Sequence, residues 1–500
     1  MKEILSQLLF LLIPMDSVQT DHLKAYGVVY ESLQRESQVQ WLLNYRGGSY
    51  MVVDDEQNRQ ALAKNHVFFE PLDNTEATAI KDKIKDDGMQ AAVKLERAPR
   101  VAVYAPSAEG HWDDAVMNVL NYTGIPYDVI GDFEVLNKDL KKYDWIHLHH
   151  EDFTGQYGRF HYAYKGTPWY TEMVASEEAE ARKLGFKKVS QMKLAVAKKL
   201  KKYIADGGFL FAMCSATDSY DVALAAEGTD IVPAQFDGDP TDPKCMDKLK
   251  YKNTLAFENF GVDTNWTVYE FSHIDTYFGR GRVMRENNDY FELQNYNANS
   301  DPQKAMFTQN HQQIIKGFWG MTTGFSLAYI KDDATIMGKT KYAFDEARYI
   351  SGTYGKGSWC FYSGHDPEDY MHHVGEAAPD ISLTPNSAGY RLILNNVLRP
   401  AAHIPNAPEQ KSIALEVYNN PVRDQQLRLA ITLNEPGMEN MKGTLRIYDL
   451  QGKEMHASEM VAHDGLNTQI MELPEMSAGL YYVQFESGKT VLRKKFIVEK

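Results

Sequence analysis

A doubly wound parallel sheet of the α/β class, with a small N-terminal α/β unit ahead of it and an all-β sandwich behind it, is the fold this 500-residue chain predicts. Three observations predict it. Unbroken apolar runs, VAVY after Arg100, WIHL after Asp144 and FLFAM after Gly208, are what parallel strands buried on both faces show. Helical segments separate these runs, so that strand, crossover helix and strand repeat. Past Pro400, Pro405 and Pro408 the pattern changes to short strands in LRLAITL, GTLRIYDL, LYYVQF and VLRKKFIV, with Asp449-Leu450-Gln451-Gly452 as a turn.

In chain order, residues 1–98 make the N-terminal unit. LLFLLIP reads as a strand, Leu23, Tyr26, Tyr30 and Leu33 fall at helical spacing, and VQWLLNY is a strand closed by Arg46-Gly47-Gly48. The opening MKEILSQLLFLLIP has signal-peptide length but no small-residue cleavage site after it. It reads as a degenerate signal, or as the first strand of a chain whose true start lies upstream, and the following IPMD and helix favour the strand. Residues 99–400 carry the main sheet, with a helix from Asp113 to Tyr122, the strands YDVI and DWIHLHH, and one long amphipathic helix from Ser176 to Ala205 that Asp206-Gly207-Gly208 stops. An insertion at about 233–310, rich in Asp, Asn, Gly and aromatics, is expected to cap the sheet's carboxyl edge, where ligands bind in such folds. A helix from Ser387 to Leu398 closes this domain, residues 401–411 form a stiff Pro-bearing linker, and 412–500 form the sandwich.

Bulk chemistry narrows the function. A net charge of −15 supplies no basic field for phosphates, so nucleic acid is excluded as an expected partner, and the Lys-rich stretch from Lys193 to Lys202 reads as the solvated face of one helix. No run of eighteen apolar residues exists, so no transmembrane segment is expected. Cys214, Cys245 and Cys360 are too few and too scattered for a disulfide framework or a Cys-x-x-Cys metal site.

The sharpest chemical signal is GGFLFAMCSATDS. A cysteine where a buried strand breaks into a helix sits on a tight turn, its sulfur above the sheet and helix N–H groups beside it, and that arrangement stabilises a thiolate and an oxyanion together. Cys214 is therefore the candidate nucleophile. A cysteine nucleophile needs an imidazole held by a carboxylate, and GKGSWCFYSGHDPEDY presents His365 after a strand on a glycine turn, with Asp366 and Glu368 behind it. Gly110 and His111, beside Trp112 after the first main-sheet strand, and His150, Glu151, Asp152 and Ser215 are the candidate substrate-binding residues, the segment Ser107 to Gly110 serving as oxyanion loop. In DWIHLHHEDF, His147, His149 and Glu151 share one strand face and offer ligand types that zinc or iron accepts, which leaves a metal-dependent reading open; the preferred reading has no metal ligand and no cofactor. Asn44-Tyr45-Arg46-Gly47-Gly48 is either an anion-binding loop or a packing turn.

With Ala212-Met213-Cys214-Ser215-Ala216 as an elbow and His365-Asp366-Pro367-Glu368 as a later acid-base element, the region from Arg100 to Pro400 resembles the class I glutamine amidotransferase-like superfamily. The resemblance implies a flavodoxin-like sheet and hydrolysis of an amide-type C–N bond. Alanines replace both glycines of the family's G-x-C-x-G elbow, and the carboxylates lie one and three residues after His365 where the family has two, which puts glutaminase chemistry itself in doubt. IPMD, QTDHLKAYG, WLLNYRGG, HHEDFTGQ, FAMCSATDS and YSGHDPE together resemble a family of secreted Bacteroidota proteins labelled asparagine synthetase B. The label's activity is not supported by the motifs: position 2 is Lys2 rather than an exposed cysteine, and Ser215-Ala216-Thr217-Asp218-Ser219 lacks the glycines of a pyrophosphate loop. Tyr418-Asn419-Asn420-Pro421-Val422, LRIYDLQGKEM and MSAGLYYVQFESGKTVLRKKFIV resemble the type A sorting domain of type IX secretion, with Asn419 where that family has proline. This implies a secreted or outer-membrane surface protein whose partners are the type IX secretion machinery and a small-molecule or peptide substrate. The preferred reading is a Cys-dependent hydrolase; the alternatives are a catalytically inactive binding protein for sugar or peptide, and a metal-dependent hydrolase.

Overall fold

The structure, a computed structural model, describes residues 10–106, 114–276, 290–316, 322, 324–340, 345–369, 377–402, 413–417, 420–433, 441–463, 465–488 and 490–499. The chain divides into two compact units, Met1–Ile404 and Pro405–Lys500.

The first unit opens with β1 (Phe10–Ile13), α1 (His22–Gln34), β2 (Val39–Leu43), β3 (Ser49–Val53), α2 (Glu56–Lys64), β4 (Glu70–Leu72), α3 (Asn74–Asp87) and β5 (Ala91–Leu95). The strands form a five-stranded sheet in the order β4-β1-β3-β2-β5, antiparallel throughout. Period-two alternation explains why both faces are covered. Leu11 and Ile13 enter the main core while Leu12, on the opposite face, packs with Ala77 and Ile84 of α3. Arg46 is not an anion site: its guanidinium is occupied by Asp16 at 2.6 Å and Glu70 at 2.9 Å.

The second sheet contains β6 (Val101–Tyr104), β7 (Asp128–Ile130), β8 (Trp145–Leu148), β9 (Phe209–Met213), β10 (Tyr290–Leu293), β11 (Ile314–Lys316), β12 (Phe325–Ser326), β13 (Thr335–Thr340), β14 (Glu346–Tyr354) and β15 (Gly357–Tyr362). Five of them run parallel in the order β7-β6-β8-β9-β15. The sheet is nonetheless mixed, which departs from the all-parallel expectation: β14, β13, β10 and β11 extend it beyond β15 as antiparallel strands, and β12 pairs with β14. The segment at 233–310 therefore does more than cap an edge, since β10 within it adds a strand to the sheet.

The helices of this half are α4 (Ala115–Thr123), α5 (Asp132–Asn137), α6 (His161–Tyr164), α7 (Pro168–Lys183), α8 (Val189–Ala205), α9 (Ser215–Ala225), α10 (Ala234–Asp237), α11 (Pro302–Phe307) and α12 (Ala388–Leu398). The single helix expected from Ser176 to Ala205 is two, α7 and α8, parted around Gly185, whose φ of 86° a side chain rarely adopts. One apolar core joins the first sheet, α1, α4 and α12 to one face of the second; the other face, with Tyr104, Ile146, Leu210 and Ala212, packs under α8 and α9. Lys193 breaks the solvated-face expectation. It is 1% exposed, its Nζ 3.2 Å from Asp132 and 3.2 Å from the Tyr104 hydroxyl.

The second unit contains β16 (Ile413–Val417), β17 (Gln426–Leu433), β18 (Met441–Tyr448), β19 (Glu454–Ala462), β20 (Gly465–Glu472), β21 (Gly479–Ser487) and β22 (Thr490–Val498). They form sheets β16-β17-β20 and β19-β18-β21-β22, antiparallel in each. Alternate residues Leu427, Leu429 and Ile431 meet Leu445, Ile447, Val483, Phe485 and Phe496 in the core. Gly452, at φ 82°, closes the turn, its N–H donating to the Asp449 carbonyl at 3.1 Å.

Candidate active site

Cys214 follows β9 directly and caps α9. Its backbone stands at φ 46° and ψ −139°, a conformation that non-glycine residues hold only when their surroundings impose it. Those surroundings are visible. The Cys214 N–H donates to the Gly364 carbonyl at 3.1 Å, and the Cys214 carbonyl accepts from the Thr217 hydroxyl at 2.7 Å. The Ser215 hydroxyl, fully buried, donates to the His150 carbonyl at 2.8 Å, and the Ala216 N–H donates to the His149 carbonyl at 3.1 Å. The elbow is thus stitched on one side to the loop after β15 and on the other to the loop after β8. All of α9 is buried, so its amino end points its partial positive charge at residue 214 in a site shielded from water.

Parallel pairing of β9 with β15 sets Met213 opposite Tyr362, so Cys214 and the segment Ser363 to Asp366 leave the sheet at the same level. His365 is 5% exposed, and its Nδ1 lies 2.6 Å from Oδ2 of the fully buried Asp366. A carboxylate can only accept, so Nδ1 carries the proton and a neutral ring keeps its lone pair on Nε2. Glu368 is engaged elsewhere: its Oε1 accepts from the hydroxyl of Ser387, the N-cap of α12, at 2.7 Å.

The strand β8 delivers the histidines. His147 and His149 are both fully buried and share a strand face, and a carboxylate meets them, but it is Asp114 and not Glu151. Oδ2 of Asp114 is 3.4 Å from His147 Nε2, Oδ1 is 3.4 Å from His149 Nδ1, and the two ring nitrogens are 3.3 Å apart. Burial would raise the Asp114 carboxyl, yet the two imidazoles outweigh it and hold it well below the usual range. His149 also meets His365: its ring centroid is 4.4 Å from that of His365, and the His150 ring stacks on His365 at 5.7 Å. Two sets of three donors could hold a metal ion, His149 with His150 and His365, and Asp114 with His147 and His149, the donor atoms of each set lying within 4.8 Å of one another.

The remaining substrate candidates divide. Burial and the neighbouring imidazoles hold His150 well below its ordinary value, so its ring is neutral. Burial and the Asp114 charge push Glu151 up to about 8, while its Oε2 accepts from the His149 N–H at 2.8 Å. Asp152 is spent on its own loop, accepting from the N–H groups of Thr154, Gln156 and Gly158 and from the Thr154 hydroxyl at 2.6 to 3.1 Å. Gly110 and His111, with Trp112 and the rest of the expected oxyanion loop, lie outside the described residues. Asp114 is the residue the sequence reading missed. An acid ahead of an apolar helix reads as a cap, and Asp114 does cap α4, its Oδ1 accepting from Val116 at 2.7 Å and Met117 at 2.9 Å.

Residues 416–499 match a family described as a secretion system C-terminal sorting domain. No curated protein matches the chain. Among solved structures, an engineered protein from a structural genomics consortium aligns with 80% of this chain and 93% of its own at 10% identity, with a TM-score of 0.20, too low to carry any argument about fold. The sorting domain marks a secreted or outer-membrane surface protein that engages the type IX secretion machinery. Among the described residues no helix is long and apolar enough to cross a membrane.

Proposed function

We propose that the exported protein is a Cys-dependent hydrolase of an amide-type C–N bond in a small molecule or peptide, with residues 99–400 as the domain that carries the reaction. The observation that carries this reading is the backbone of Cys214: a non-glycine residue held at φ 46° between β9 and the buried helix α9. Nucleophile elbows need this strain, because it lifts the sulfur clear of the strand and brings helix N–H groups alongside. The parallel order β7-β6-β8-β9-β15, with Cys214 after β9 and His365 after its neighbour β15, supports a flavodoxin-like, glutamine amidotransferase-like reading of this half.

In the proposed reaction His365, oriented by Asp366, takes the Cys214 proton. The thiolate attacks the carbonyl carbon, and the oxyanion is met by the Ser215 N–H at the head of α9. His365 returns the proton to the departing amine, leaving a thioester, and a water activated by the same imidazole releases the acid. Glu368, tied to Ser387, contributes to holding α12 and not to the proton transfer. The test is ammonia or amine release from a panel of free amides and peptide amides. Cys214→Ala and His365→Ala should abolish any activity found in the wild type, and an unchanged rate in Cys214→Ala would remove the reading in favour of a binding or metal-dependent one.

A further inference from the structure

We propose that Asp114, His147 and His149 hold a divalent first-row transition-metal ion of the zinc class beside the cysteine centre. This goes beyond the hydrolase reading and does not use Cys214 or His365 as ligands. The donor separations carry it. His147 Nε2 to Asp114 Oδ2 is 3.4 Å, His149 Nδ1 to Asp114 Oδ1 is 3.4 Å, and the two nitrogens are 3.3 Å apart. Four-coordinate zinc, with ligand bonds of about 2.0–2.1 Å, spaces its ligand atoms about 3.4 Å from each other. A directly hydrogen-bonded imidazolium–carboxylate pair would instead close to about 2.7–2.9 Å.

The rings are oriented for an ion. His147 Nδ1 is 3.2 Å from the Phe211 carbonyl, which can only accept, so Nδ1 donates there and Nε2 is the nitrogen turned to Asp114 and His149. A backbone carbonyl fixing the far nitrogen of a ligating histidine is the usual outer support of such sites. Ring packing restrains the plane, since His147 lies against both Trp145 at 5.8 Å and Phe211 at 5.5 Å, rings that also pack on each other at 5.4 Å. Both histidines are fully buried and the Asp114 side chain is 8% exposed. Asp114 Oδ1 accepts from the Val116 and Met117 N–H groups, while among the described residues Oδ2 meets His147 and no Lys or Arg pairs with the carboxylate, so it keeps a charge to offer a cation. Two imidazoles and one carboxylate select zinc, iron(II) or cobalt(II) over calcium or magnesium, and three protein donors leave a fourth position for water.

The experiment is metal analysis of the untagged full chain, followed by chelation and titration with Co(II), whose visible spectrum reports nitrogen ligation directly. One equivalent per chain is expected, with tetrahedral-type absorption bands. Asp114→Asn and His147→Gln should each weaken Co(II) binding by more than about tenfold, whereas His150→Ala and Cys214→Ser should keep one equivalent. A wild-type chain that binds no Co(II) at millimolar concentration overturns the proposal without recourse to any variant. So does binding that survives both Asp114→Asn and His147→Gln and is lost in His150→Ala, which would move the ion to the neighbouring histidines. The hydrolase reading fails separately, by Cys214→Ala retaining activity whatever its metal content.

Discussion

Replacing Cys214 with glycine should not destabilise the protein relative to replacing it with alanine, and the reason is the backbone at φ 46° and ψ −139°. At an ordinary buried position, alanine to glycine loses about 0.8 kcal/mol of methyl burial and about 0.4–1 kcal/mol through the greater freedom of the unfolded chain. Ala212 and Ala216, fully buried two residues either side, are the controls and should show that full cost of about 1.5 kcal/mol. At residue 214 alanine keeps the strain that cysteine bears, whereas glycine releases about 1–3 kcal/mol of it. The two effects cancel or reverse, so Cys214→Gly should match Cys214→Ala or exceed it by about 1 kcal/mol. Denaturant unfolding followed by tryptophan fluorescence reads the correct unit, because all seven tryptophans precede Ile404. If glycine at 214 costs as much as it does at 212 and 216, residue 214 carries no strain and the elbow argument fails.

Three further outcomes follow from the same geometry. Asp132→Asn leaves Lys193 charged and buried, so it should lower stability by about 3–5 kcal/mol, measured by denaturant midpoint, while the double change to Asp132→Leu with Lys193→Met should recover most of the loss. Burial raises the Asp218 carboxyl to about 7 against the hydrogen bonds from Thr322 and Ser219, so the folded chain holds a proton that the unfolded chain has lost. Its contribution is present in full below the unfolded value of 3.8 and is lost as pH rises through about 7; Asp218→Asn should therefore gain stability relative to wild type between pH 5 and pH 8, and a pH-independent difference would refute this. Asp366→Asn should lower kcat by at least about a hundredfold by disturbing the His365 tautomer, while Glu368→Gln should leave kcat within about threefold and shift stability by about 1 kcal/mol or less through the Ser387 cap.

Legibility in the sequence followed the range of the forces involved. β6, β8 and β9 were legible because a strand buried on both faces must be apolar throughout, and the elbow because a cysteine interrupts such a run just before a helix. The sandwich strands were legible because alternation records which face is buried. The antiparallel extension was not, because β10 lies in a polar stretch and gains its identity by pairing with Ile314–Lys316 and Thr335–Thr340, far along the chain. Lys193 looks like its exposed neighbours until Asp132 meets it across the core. Asp114 has the same difficulty: its capping role is written locally, whereas its position between His147 and His149 depends on how β6 and β8 lie side by side.

The central claim is that Cys214 is a nucleophile served by His365. Site-resolved alkylation of the full chain with iodoacetamide, read by peptide mass spectrometry at pH 6, tests it most directly. Cys214 and Cys360 are both buried in the same core, and Cys360, its thiol pushed well above the ordinary value by that burial, is the internal reference. The account predicts that Cys214 reacts many times faster than Cys360 in the wild type, and that His365→Ala removes most of this advantage. Equal, slow labelling of both cysteines in the folded wild type would contradict it.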